Sequence, residues 1–430
     1  MVRHIVHTII TRALTLFISF PLLFLSTRYL GAYGRGLLSL LMAAVGMQVL
    51  INGFVGGESL VYLLPKNRNK AYVVNTVIIS TAWTLISCTV ISCSYFALDL
   101  APSNILPHIV IIGIIASLFN TWLMLLLAGE NITKYNFLTL ATTAINLLIF
   151  STCIYAFSVA SVGAYLLSMY ASYIIGFSVA IILFLRSVRD KAYSLEPCSV
   201  RSTIREIWKY SCIAQLGNFI QYVNYRFSYF ALSKYLGLAD VGVYSVGTVI
   251  AESILMISGS MSLVQYSKIA NAGDTEYAKN LTIALAKAGF VVTAIVTALF
   301  LAVPASIITD IFGREFYNVR SVVLSLSIGI VSLGFSMMIS HYFAGIGRYH
   351  VCTIASGIGL IVTIVGNLAL IPKFGYIGAG LAASGAYVAT SAFLLYSFLK
   401  FANIGVKSLC IRVSDFNVLR EAVRSHFAGR

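Results

Sequence analysis

Four charges stand where a chain this apolar should carry none. Arg12, Arg226 and Glu252 fall inside long hydrophobic stretches, and Glu58 follows Gly56-Gly57 near the end of another. Ionisable groups at membrane depth are costly and therefore usually face a cavity or a partner. Arginine presents a planar fork of donors that matches phosphate oxygens, so in a low-dielectric cleft it would offset the desolvation of an anionic group. A mid-span carboxylate would pair with such an arginine or take up a proton or Na⁺. Glu252 is accordingly a candidate for ion coupling or gating, and Glu58 for a gate at the inner mouth. Around Arg226, helical spacing puts Ser211, Gln215, Asn218, Tyr222, Tyr225 and Tyr229 on one face, which is too polar to meet lipid. Thr8, Arg12, Thr15 and Ser19 form a similar stripe near the N-terminus. Arg226, Arg12, Gln215, Asn218, Tyr222 and Tyr225 are the candidate substrate-binding residues. Gln48, Asn52, Asn120, Asn146 and Asn367 are either further ligands or hydrogen bonds between helices.

The elements that must position these groups are transmembrane helices. The 430 residues are 59% hydrophobic and only 10% charged, which excludes a soluble domain of this length. Near-continuous apolarity also excludes a β-barrel, whose strands alternate. Breaks at charges, Pro, Gly and Asn predict twelve spans: 5–27, 37–63, 72–97, 106–128, 136–157, 162–185, 208–232, 242–265, 281–303, 321–344, 351–371 and 376–399. The one sizeable connection is 186–208, where Thr203 and Glu206 have capping-box spacing for the seventh helix. The basic, apolar N-terminus lacks a small-residue cleavage site and reads as a retained first helix. The seven cysteines include no CxxC pair, so neither a disulfide framework nor a zinc site is suggested. With the N-terminus inside, 22 of the 29 Lys and Arg lie on the cytoplasmic side, which puts both termini there. The net charge of +15 is then a topology signal and an attraction to anionic membrane lipids, with no nucleic-acid partner implied. Residues 401–430 read as a cytoplasmic tail with a short amphipathic helix.

A small glycine-marked corner occurs twice. RYLGAYGRG at 28–36 returns as KYLGLADVG at 234–242, matching Tyr29/Tyr235, Leu30/Leu236, Gly31/Gly237, Gly36/Gly242 and, beyond it, Ser39/Ser245. Arg28/Lys234 is conservative. A second echo links LAGENITKY and SVGAYLLS to FAGIGRY and YIGAGLAAS. Two halves of six spans each follow, entering the membrane from the same side and related by an axis along its normal. The expected fold is therefore all-α and polytopic: about twelve transmembrane helices in two pseudo-symmetric six-helix bundles around a central cleft. The expected divisions are a first lobe at 1–185, a linker at 186–207, a second lobe at 208–400 and the tail.

The R/K-x-L-G-x4-G corner, the P-K joint after an apolar span and the late G-x-x-G-A loop resemble the Wzx-like polysaccharide flippases. These are O-antigen or capsule unit translocases of the multidrug/oligosaccharidyl-lipid/polysaccharide exporter superfamily. The resemblance implies transfer of an undecaprenyl-pyrophosphate-linked oligosaccharide unit from the inner to the outer leaflet of a bacterial inner membrane, without a cofactor; rocking of the two expected bundles against each other would expose the cleft alternately to each side. It also implies pathway partners such as a polymerase and chain-length proteins, with H⁺ or Na⁺ as coupling ion. Tyr222, Tyr225 and Tyr229 would then stack on sugar rings. The chain departs from the lipid II flippase branch, which typically has two further C-terminal helices, and the acidic or Gln/Asn groups that the drug exporters usually carry in particular helices are not assigned to positions here. The competing readings are a cation-coupled drug antiporter of the same superfamily and a membrane-embedded glycan polymerase or ligase. Short outer connections and the lack of a DxD pair or a GxxxxGK loop count against an enzyme.

Overall fold

A computed structural model describes residues 2–57, 59–67, 69–129, 131–189, 198–272 and 275–405. Twelve α-helices fill it: α1 Val2–Gly56, α2 Ser59–Lys66, α3 Lys70–Ala97, α4 Leu106–Ala128, α5 Ile132–Tyr155, α6 Val162–Arg189, α7 Val200–Tyr235, α8 Leu238–Ala272, α9 Thr275–Ala302, α10 Ala305–Phe312, α11 Val319–Gly345 and α12 Tyr349–Ala402. In hydrocarbon no water is present to satisfy the backbone, so a helix, which pairs its own N–H and C=O groups, is the form such apolar runs must take. Among the described residues, nine helical stretches are long and apolar enough to cross a membrane. Two of these, in α1 and α12, are long enough for two crossings each; with the long but more polar α7 they account for the twelve expected spans.

Side-chain placement inverts the pattern of a soluble protein. α3 buries Thr76, Ser80, Thr84, Ser87 and Ser92 while Ile78, Leu85, Ile86 and Val90 are exposed. The inward hydroxyls bond carbonyls one turn back, as Thr84 does to Ser80 at 2.7 Å and Ser92 to Cys88 at 2.7 Å. Small polar groups let helices approach closely, and the apolar face is left for lipid.

Several boundaries differ from expectation. The break at 27–37 is a kink within α1 at Gly31 (φ 67°, ψ −175°), a conformation open in practice only to glycine. The break at 371–376 is likewise a kink in α12 at Gly375 (φ 60°, ψ −139°). The seventh helix starts at Val200 with Ser199 as N-cap, so Thr203 is inside it and bonds Ser199 O at 3.1 Å; the capping-box reading is corrected accordingly. The connection after α9 contains α10 and a 3₁₀ turn, Arg314–Phe316. Lys287 is buried in α9. The tail from residue 406 lies outside the described residues.

The helices form two compact units, one of residues 1–245 with 306–318, the other of 246–305 with 319–430. This is a division by packing and differs from the division into sequence halves, because α7 goes with the first unit. In that unit a core of Leu60, Leu63, Leu125, Leu126 and Ile207 joins α2, α4 and α7. Fully buried Asn52 of α1 ties three helices, donating to Ser117 O at 3.1 Å and Thr121 Oγ1 at 2.9 Å in α4 while accepting from Thr84 of α3 at 2.7 Å. The second unit has its own core around Tyr342, Phe343, Leu394 and Phe398. There Gln265 of α8 donates to Thr282 of α9 at 2.8 Å and to Met338 O of α11 at 3.0 Å. The same order of helices thus carries the same kind of carboxamide clasp in each unit.

The repeated corner has a structural counterpart in the first unit. Gly31 and its match Gly237 both take positive φ (67° and 111°). A Cβ on Gly36 would collide with the carbonyl oxygen of Leu238, and one on Gly242 would collide with that of Ala32. In the alignment Ala32 pairs with Leu238 and Gly36 with Gly242, so the contact is reciprocal, as a local two-fold axis between the copies requires. Beside it the kink frees the N–H of Ala32, which Glu315 accepts through Oε2 at 2.5 Å, while Arg28 Nη1 donates to Asp310 O at 3.4 Å. A carboxylate at a helix start is also favoured by the helix dipole.

Gly31→Ala should lower the stability of the purified protein by about 1–3 kcal/mol, because alanine is strained at that φ/ψ. Gly357→Ala, with open space around it, should be neutral or stabilising. Thermal unfolding of both variants in detergent checks the pair.

Candidate functional site

The polar face of α7 is built against α1 and the first residue of α2. Ser211 Oγ donates to Ser59 Oγ at 2.6 Å, Gln215 Nε2 to Leu50 O at 2.6 Å, and Tyr222 OH to Ala43 O at 3.1 Å. Gln215 and Tyr222 are seven residues apart, two helical turns on one face, and their α1 partners run in the opposite direction. Glycines in α1 make the approach possible, also seven apart: a Cβ on Gly53 would lie 2.5 Å from Gln215 Nε2, and one on Gly46 would collide with the Tyr222 hydroxyl. Aromatic contacts flank the seam, with Trp208 5.6 Å from Trp83, Phe230 stacked on Tyr95 at 5.6 Å, and Tyr210 5.1 Å from Tyr62.

The expected single stripe therefore divides. Gln215 and Tyr222, with Tyr229 seven residues further on, form its centre and lean on α1. Asn218 is exposed and Tyr225 half-buried on one flank, about 60° away at 3.6 residues per turn. Arg226 is half-buried on the other flank, with its Nη1 donating to Tyr229 OH at 3.1 Å and its guanidinium over the same ring at 5.3 Å. Tyr229 in turn meets Tyr244 edge-on at 5.8 Å. The other expected ligands are mostly held between or within helices: Gln48 donates to Ser92 at 2.9 Å, Asn146 accepts from Ser168 at 2.7 Å, and Asn367 donates to Thr363 O at 2.7 Å.

Sequence reasoning missed Arg35. The Lys and Arg asymmetry leaves it outside the 22 cytoplasmic cations, yet it is 91% buried in α1. Its Nη1 donates to Ser26 Oγ at 3.2 Å, and its Nε has no protein acceptor among the described residues. It lies within electrostatic range of Tyr165, Tyr229 and Arg226. Arg226, half-buried on α7, is a second cation within that range. The repeat held the missing signal, since Arg35 aligns with Val241, which is fully buried. Of the remaining expected residues, Glu252 is half-buried on α8 in the second unit. Arg12 belongs to α1, but its side chain, like the whole of Glu58, lies outside the described residues.

Buried polar seams, glycine kinks and a lipid-facing apolar surface define a multi-pass α-helical membrane protein. No protein-family model matches the chain. A relative, "Uncharacterized membrane protein MJ1068" of Methanocaldococcus jannaschii, is 25% identical over 266 residues, 60% of this chain and 52% of that protein. The chain thus matches about half the length of that curated relative. Among solved structures, an inward-facing multidrug resistance MATE family transporter of the MOP superfamily aligns with TM-score 0.71 at 15% identity, over 92% of this chain and 98% of that one. The lipid II flippase MurJ in an inward closed conformation aligns equally well, at TM-score 0.71 and 15% identity over 95% and 89%. The Vibrio cholerae MATE transporter VcmN follows at TM-score 0.58 and 12% identity, over 93% and 98%. The chain therefore has the fold of these transporters, and the superfamily resemblance holds at the level of the fold.

Gly46→Ala should destabilise by about 1–2 kcal/mol through its collision with Tyr222. In a Tyr222→Ala background the same change should cost much less. A double-mutant cycle on thermal unfolding reads this coupling, which additive effects would contradict.

Proposed function

We propose that the protein is a flippase that carries an anionic, lipid-linked oligosaccharide across the membrane by alternating access. The observation that carries this reading is Arg35, a buried guanidinium whose Nε has no protein acceptor among the described residues, within electrostatic range of Tyr165, Tyr229 and Arg226 in the first unit. A buried guanidinium in that state is costly, and a diphosphate would offset the cost while accepting paired hydrogen bonds. Tyr165 and Tyr229 supply hydroxyls and rings of the kind that bind sugars. Arg12, Asn218 and Tyr225 extend the proposed path, and Gln215 and Tyr222 would be exposed to it when the seam with α1 opens. Glu252, a carboxylate midway along an apolar helix, supports coupling to H⁺ or Na⁺, with Glu58 as a gate. The undecaprenyl carrier, the O-antigen or capsule destination and partnership with a polymerase and chain-length proteins rest on the resemblance of the repeated corner. A bacterial inner membrane with both termini cytoplasmic rests on that resemblance and on the Lys and Arg asymmetry.

An antiporter for organic cations shares this fold, and the sign of the charge separates the two: a cationic seat favours an anionic cargo. Arg35→Ala and Arg226→Ala should each reduce delivery of a fluorescent polyprenyl-diphosphate sugar to the far leaflet of proteoliposomes by about tenfold or more, the worth of one charge-assisted contact. Arg226→Lys should retain part of the activity. Undiminished flipping in both alanine variants, or ethidium export by the wild type that both variants preserve, would rule the reading out.

A further inference from the structure

The first turns of α7 are not used by the transport reading, and they have a two-sided surface. α7 is 36 residues long, about 54 Å, against a hydrocarbon core of about 30 Å. Its N-terminal turns precede the expected span at 208 and so stand at the headgroups. Arg201, Arg205 and Lys209 recur every fourth residue and all three are exposed. The neighbouring stripe is Val200, Ile204 and Trp208, exposed by 48%, 37% and 38%. The opposite side is committed to the protein through buried Thr203 and Ile207.

The cations open onto a groove of about 750 Å³, whose lining also includes Ser199, Ser202 and Tyr210. Glu206, the one carboxylate in that lining among the described residues, accepts from Asn67 Nδ2 at 3.3 Å through each oxygen.

We propose that this surface is a seat for one anionic phospholipid. Its phosphate lies among Arg201, Arg205 and Lys209, and an acyl chain runs along Val200, Ile204 and Trp208. The cations alone would suit any phosphate. The adjoining exposed apolar stripe on a helix at the membrane surface selects a phosphate that carries a hydrocarbon chain. A lipid held there would fix the level at which α7 crosses the interface, whatever the transported cargo, so the inference stands apart from the flippase reading.

Native mass spectrometry of the full-length protein in detergent tests it, with phosphatidylglycerol and phosphatidylcholine of matched chains added in turn. The wild type should retain phosphatidylglycerol about tenfold better, as expected for three cations at a headgroup. Arg201→Gln/Arg205→Gln/Lys209→Gln should lose that preference, and Val200→Ser/Ile204→Ser should weaken retention with the charges intact. If the triple variant fails to fold, Arg205→Gln alone should lose part of the preference. Unchanged preference in the variant that folds, or displacement of the lipid by millimolar inorganic phosphate, would overturn the proposal, the latter by showing a site for soluble anions.

Discussion

Close backbone approach at glycine is the constraint on which the first unit depends. In a bilayer the hydrophobic effect gives little drive for one helix to leave lipid for another, so packing contacts and hydrogen bonds must supply it. Gly36 and Gly242 let the two repeated corners meet carbonyl to Cα, with no side chain between. Gly46 and Gly53 do the same along α1, bringing the carbonyls of Ala43 and Leu50 within reach of Tyr222 and Gln215. Those carbonyls already serve the helix, and their second lone pairs take the extra bonds without breaking it. Such a seam is held by a few discrete rungs spaced two helical turns apart.

The same unit contains two kinds of buried polar group, and their energetics differ. Asn52 is bonded to α3 and α4 on both its amide and its carbonyl, so its burial adds rigidity at little cost. Among the described residues Arg35 has one hydroxyl partner, Ser26, and an unmet Nε. A charge in that state is costly to bury, and any anion that met it would gain affinity by the cost removed.

The fold was legible because the bilayer leaves few choices. Apolar runs of about 20 residues can only be helices, and α4 occupies the expected residues 106–128. What the apolar pattern could not show is whether a break is a loop or a kink. At Gly31 and at Gly375 two helices meet at a single non-helical residue rather than through a loop, decided by φ/ψ and, at Gly31, by Glu315 rather than by composition. The polar stripe of α7 was readable as inward-facing. Its division between the α1 seam and the Arg226 flank was not, because a partner's glycines are invisible to periodicity on one helix. Arg35 was missed for a related reason: a cation between two predicted spans gives no sign of burial until the opposing helix is known.

The internal repeat gives a way to tell scaffold from site. Positions that match between the copies are those the shared architecture demands: Gly31 and Gly237 for backbone conformation, Gly36 and Gly242 for contact, and Ser39 and Ser245, whose hydroxyls each bond a carbonyl of their own helix at 2.8 Å. A position buried in both copies but chemically different cannot be explained that way. At Arg35 and Val241 the environment is interior in each case, and valine satisfies it at no electrostatic cost. The arginine breaks the symmetry against the preference of its surroundings. A scaffold that needed only packing would have no reason to keep a cation there, and a seat for an anion would.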